Sequence, residues 1–106
     1  MSREVEVLAD AQVELYRKIS RTVENLRKLG SAKITLGAVE SRLQSLETNW
    51  AKFDAQDDRL FVHREVLAGH DYYKLDVPAL AEEAYLNQKA SLLAWKHSSK
   101  IKEVDR

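Results

Sequence analysis

Cysteine is missing from all 106 residues, which excludes disulfides, thiolate metal sites and cysteine nucleophiles. Glycine and proline are scarce, three and one, and so few breakers favour long uninterrupted helices. No apolar run approaches the roughly 18 residues that span a bilayer. The start, Met1-Ser2-Arg3-Glu4, is charged and lacks the apolar core of a signal peptide. The expectation is an intracellular, cytoplasmic protein that does not use a membrane. Neither charge is in excess, since Lys+Arg and Asp+Glu both number 17. A nucleic-acid module normally has a basic surplus, because neutralising phosphates supplies most of its affinity. Nucleic acid is therefore not an expected partner, and no charged tail suggests otherwise.

What is present is helical periodicity. The chain is 44% hydrophobic and 32% charged, which suits a helical protein with a well-solvated surface and one modest core. Val39, Leu43, Leu46, Trp50 and Phe53 are spaced four, three, four and three apart, the apolar stripe of an amphipathic helix. This stripe belongs to the second of three expected helices, about residues 35–68, some 50 Å long at 1.5 Å per residue. Ser31 or Thr35 is its candidate cap. Beyond Phe53 the register meets Asp57, Leu60, Arg64 and Leu67, so the far end is expected to be covered differently or to reach beyond the bundle.

The first helix, about residues 3–29, carries Val5, Leu8, Gln12, Leu15, Ile19, Thr22, Leu26 and Leu29 on a heptad stripe. Gln12 and Thr22 interrupt it, as polar residues do when they set register and partner choice. Gly30 follows where a left-handed C-terminal residue belongs. The third helix, about residues 77–103, starts with Asp76 as N-cap and Pro78 in the first turn. Ala81, Tyr85, Gln88, Leu92 and Trp95 make its stripe; Lys96, Lys100 and Lys102 suit its negative end, and Ile101 and Val104 are its last apolar residues. Between the second and third helices, Tyr72, Tyr73 and Leu75 are expected to fold back over the second. The fold class is all-α: one helical domain over residues 1–106, an antiparallel three-helix bundle, or a coiled-coil-like hairpin whose first helix pairs with another chain.

Candidate chemistry is sparse. Asp54, Asp57 and Asp58 share one helix face, but no glycine-containing calcium loop accompanies them, and a solvated face explains them better. His63 and His70 stand seven apart, roughly 10 Å along a helix, too far to share a metal, and His97 is remote in sequence. No HExxH, no G-x-S-x-G and no phosphate-binding glycine loop is present. No catalytic residue, metal ligand or cofactor is expected. Trp50, Phe53, Tyr85 and Trp95 could stack bases, yet at helical spacing they read as core or interface. The expected core is Val39, Leu43, Leu46, Trp50, Phe53, Tyr85, Leu92 and Trp95.

Several stretches read together carry a family resemblance: Lys33-Ile34-Thr35-Leu36-Gly37, Arg42-Leu43, Leu46-Glu47, Trp50-Ala51-Lys52-Phe53 and Asp58-Arg59-Leu60, followed by Asp71-Tyr72-Tyr73 and Glu83-Ala84-Tyr85. This pattern, over somewhat more than half the chain, resembles the N-terminal helical region of Gag-like polyproteins of insect BEL/Pao-type LTR retrotransposons. The resemblance implies a structural role: a segment that self-associates during particle assembly, or a host-domesticated relative. The zinc knuckle and the Asp-Thr-Gly or Asp-Ser-Gly protease signature of such polyproteins are missing here.

The first expectation is thus a non-enzymatic assembly module acting through helix contacts between chains, with Leu8, Gln12, Leu15, Ile19, Thr22 and Leu26 as the assembly seam. The alternative is an adaptor that binds another protein's amphipathic helix in a hydrophobic groove.

Overall fold

In the computed structural model, which describes residues 2–98, the order of elements is α1 (Ser2–Ser20), α2 (Thr22–Arg27), a 3-10 turn (Ser31–Lys33), α3 (Leu36–Phe61), α4 (Asp71–Lys74) and α5 (Val77–Lys96). Among the described residues there is no strand. α1, α3 and α5 each pack on the other two, so the protein is an all-α helical bundle. Gln12 of α1 meets Phe53 of α3, while Glu40 and Glu47 of α3 meet Lys96 and Lys89 of α5. α3 therefore runs opposite to its two neighbours, and the rod measures 57 × 20 × 18 Å.

One buried cluster joins the helices. Leu15, Ile19, Val23 and Leu26 from α1 and α2 meet Val39, Leu46, Phe53 and Leu60 from α3, with Ala81 and Leu92 from α5. The expected hairpin with an unpaired first helix is corrected: α1 spends its stripe inside its own chain.

The first helix is also not continuous to residue 29. It breaks at Arg21, whose ψ of 8° lies outside the helical range. The Thr22 hydroxyl donates to the Ile19 carbonyl at 2.9 Å, a back-bond that bends helices. Val23 N–H, freed in the first turn of α2, donates to Gln88 Oε1 of α5 at 2.7 Å. One of the donors freed at this helix start thereby gains a partner from another helix.

Of the two candidate caps of α3 it is Thr35 that serves, its hydroxyl accepting from Ala38 N–H at 3.1 Å. The helix ends at Phe61 and not at residue 68, giving 26 residues and a length of about 39 Å. Beyond it the backbone tightens. His63 N–H donates to the Leu60 carbonyl and Arg64 N–H to that of Phe61. These turns swing Leu67 back into the core at 1% exposure. A straight helix would leave Leu67 beyond the end of its neighbours. α5 ends at Lys96 with His97 as its C-cap, short of residue 103; residues 99–106, with Lys100, Ile101, Lys102 and Val104, lie outside the described residues.

Candidate interaction surfaces and the polar hub beneath them

Inside the end of the bundle where α1 starts and α3 stops sits a polar hub. Gln12, fully buried, donates through Nε2 to the Phe53 carbonyl at 3.0 Å and to Tyr72 Oη at 3.1 Å. Tyr72, also fully buried, donates its hydroxyl to Asp57 Oδ1 at 2.7 Å. Burial and that bond to Asp57 both push the Tyr72 phenol far above its ordinary value, since the phenolate would lose hydration and face a carboxylate. Burial likewise raises the Tyr73 phenol. Gln12 Oε1 and the Tyr73 hydroxyl are buried without partners, a cost of about 1–3 kcal/mol for each such group.

His70 closes the hub on the outside. Its Nδ1 accepts the Tyr72 N–H at 2.9 Å, capping α4, and its Nε2 lies 2.7 Å from Asp10 Oδ1. With Nδ1 an acceptor, Nε2 is the donor to Asp10. The His–Asp pair thus ties α4 to α1. His63 and His97 are exposed.

A second cluster lies mid-bundle on the α3–α5 face. Trp50 stacks on Tyr85 with ring centres 4.9 Å apart and on Phe53 at 5.7 Å. The Tyr85 hydroxyl donates to Glu47 Oε1 at 2.8 Å, while Lys89 Nζ pairs with Glu47 Oε2 at 2.8 Å and donates to Tyr85. The Lys89 bond holds the Glu47 carboxyl below its ordinary value, and the same bond holds the Lys89 ammonium above its own.

The expected core divides accordingly. Val39, Leu46, Phe53 and Leu92 are buried, whereas Leu43, Trp50, Tyr85 and Trp95 are half-buried and pack against the cluster. Trp95 lies under the Arg27 guanidinium, 5.8 Å from its ring centre. The expected assembly seam is corrected outright. Gln12, Leu15, Ile19, Thr22 and Leu26 are interior residues of one chain, and Leu8 is half-buried against the same core. Sequence reading expected Tyr72, Tyr73 and Leu75 to cover α3; Tyr72 is buried and Tyr73 half-buried, but Leu75 points outward at 58% exposure. Val77 is a core residue that no stripe included, and Leu67, which the second helix's register reaches, enters the core from beyond the end of α3.

On the surface, a cleft between α3 and α5 has Trp50 and Phe53 as its floor and Asp54, Asp57, Asp76 and Glu82 around it. At the same end Phe61, Val62 and Val66 are 55%, 72% and 58% exposed. Asp54, Asp57 and Asp58 do not converge: no group of three or more His, Cys, Asp or Glu residues among those described is placed to hold a metal ion. No described helix is long and apolar enough to cross a membrane. The chain matches no protein-family model, no curated protein and no solved structure.

Proposed function

We infer that the chain is a non-enzymatic assembly module that associates with copies of itself as an already folded bundle. The observation that carries this reading is the exposed trio Phe61, Val62 and Val66, three large apolar side chains within six residues, whereas Val7, Leu29, Leu75, Leu80 and Leu86 are exposed at scattered positions. Clustered exposed apolar surface marks association sites far more often than chance scatter does. The Gag-like sequence pattern supports the same role. With the α1 stripe internal, association proceeds through outer surfaces and not through a shared coiled coil. Light scattering tests it: at micromolar concentration the mass should exceed the 12.2 kDa of one chain, and a strictly monomeric mass up to about 100 times that concentration, where dissociation constants near 0.1 mM would show, would sink it.

A second reading has its own observation. The cleft over Trp50 and Phe53 is ringed by carboxylates and has no cation in its lining. It suits a basic amphipathic helix of another protein laid along α3 and α5. A monomer that binds such a peptide in a salt-sensitive manner would favour this adaptor role.

A further inference from the structure

The neutral chain is electrically polar once folded. Because α3 runs against α1 and α5, the bundle's two halves are residues 2–16 with 49–86, and residues 17–48 with 87–98. The first half holds twelve Asp/Glu and five Lys/Arg, the second three Asp/Glu and nine Lys/Arg. Their formal charges are therefore −7 and +6. Helix dipoles do not account for this. They favour acids at helix N-termini and bases at C-termini, a rule that α1 follows. α3 departs from it: Glu40 and Arg42 offset each other near its start, and Asp57 and Asp58 outnumber Arg59 near its end. The separation is a property of the bundle and not of its helices.

We propose that two copies pair side by side and antiparallel, each acidic half lying against the other's basic half. This rests on the assembly reading above and names the geometry of that contact. Charge complementarity selects a second copy as the occupant, because the chain carries both the surface and its complement. The dimensions select the arrangement. An end face of 20 × 18 Å between Cα atoms, roughly 26 × 24 Å with side chains, falls short of the ~800 Å2 per partner in a stable interface, whereas the 57 Å flank offers enough. Antiparallel flanks satisfy both halves at once and close on a two-fold axis, the commonest symmetry of soluble oligomers. In each copy Val7 of the acidic half and Leu29 of the basic half are 58% and 41% exposed, so each half carries an exposed apolar side chain.

The test uses reversals of exposed side chains distributed around each half, so that it does not depend on which flank is used. Glu6→Lys, Asp58→Lys and Glu83→Lys together bring the acidic half from −7 to −1; Lys18→Glu, Lys28→Glu and Lys33→Glu together bring the basic half from +6 to zero. Circular dichroism first checks that each triple variant keeps the parent's helicity and melting temperature; one that does not is replaced by single reversals at the same sites. Sedimentation then measures mass. The parent should be a dimer at about 50 mM salt and weaken at least tenfold by about 500 mM, where screening is nearly complete within a few ångströms. Each variant alone should weaken at least tenfold, and the two mixed should form a heterodimer, since one full acidic–basic contact is restored. A dimer indifferent to salt and to both reversals would overturn the proposal and leave the assembly reading standing. Mass that climbs past two copies with concentration would overturn the two-fold arrangement. A monomer under every condition would overturn both.

Discussion

Residues 28–35 and residues 62–76 both turn the chain back on itself, at opposite ends of the bundle. The first link is held by backbone chemistry. Gly30 takes a φ of 89°, the 3-10 turn follows, and Thr35 caps α3. Its residues are exposed but for the half-buried Ile34. The second link is held by side chains that reach inward: Leu67 and Tyr72 enter the core, and Tyr72 and His70 bond to Asp57 and Asp10 on two other helices. A link held by caps costs little to disturb. A link that supplies core residues is part of the bundle's stability. The difference follows from length, since the short link has no chain to spare and the longer one has enough to return Leu67 and Tyr72 to the core, even with Val62, Val66 and Leu75 left exposed.

The strongest way to break this contrast is Tyr72→Ala. Removing a fully buried aromatic typically costs about 3–5 kcal/mol, a large share of the 5–15 kcal/mol that such a domain has. The variant should melt far below the parent or fail to fold. If it melts within a few degrees of the parent, the hub does not anchor the link.

Tyr72→Phe separates packing from polarity. The ring stays and Asp57 loses its donor, an expected loss of about 1–2 kcal/mol. Gln12→Leu should couple to it by at least 0.5 kcal/mol in a double-mutant cycle, as groups in one network do; additive losses would mean that Gln12 and Tyr72 act separately. The same pair predicts alkaline behaviour. The folded Tyr72 phenol holds its proton above the ordinary value of 10, so the folded state binds that proton more tightly than the unfolded chain. Its contribution is complete below pH 10 and is lost as pH rises toward the folded value. Denaturant melts at pH 9 and pH 11 should show a larger fall for the parent than for Tyr72→Phe.

Much of the bundle was legible in the sequence, and the failures have physical causes. Val39, Leu46, Phe53 and Leu92 follow from periodicity, and the hydroxyls before the apolar run narrow the cap to Ser31 or Thr35, of which the structure uses Thr35. The break at Arg21 was not legible, because the heptad pattern continues across it while Thr22 and a glutamine 65 residues away from Val23 set the local geometry. Gln12 on its stripe has the pattern of a register device between chains for a similar reason: its partners Phe53 and Tyr72 lie 41 and 60 residues away. The Leu15 and Ile19 stripe has the regularity of a seam between chains, but an intramolecular bundle uses the same spacing. The charge polarity hides behind a net charge of zero and emerges only when the helices are laid antiparallel.

At the first link the expected effect is smaller. Thr35→Ala removes the side-chain acceptor for Ala38 N–H at a typical cost of about 1 kcal/mol. For a domain near this size that is a fall in melting temperature of roughly 4–8 °C. A fall as large as that of Tyr72→Ala would erase the contrast between the two links.

The finest test sets one backbone feature against itself. Each link has one residue at positive φ: Gly30 at 89° in the first and Asp76 at 55° in the second. Glycine adopts such angles without penalty, whereas a Cβ there crowds the following carbonyl oxygen at roughly 1–2 kcal/mol, somewhat less for Asp. Asp76 gains no cap bond in return, since its side chain accepts no N–H of α5, and it adds charge to a cleft that already holds Asp54, Asp57 and Glu82. Asp76→Gly should therefore stabilise the protein, by a few tenths of a kcal/mol after the greater freedom of glycine in the unfolded chain is subtracted. Gly30→Ala should do the opposite. A Cβ at Gly30 would meet no atom within 4 Å, so backbone strain alone sets the loss. Melting temperatures of the two variants should move in opposite directions. If Asp76→Gly melts below the parent, the Asp76 carboxylate contributes to folding by some route other than capping, and the strained conformation at the second link is held for that contribution.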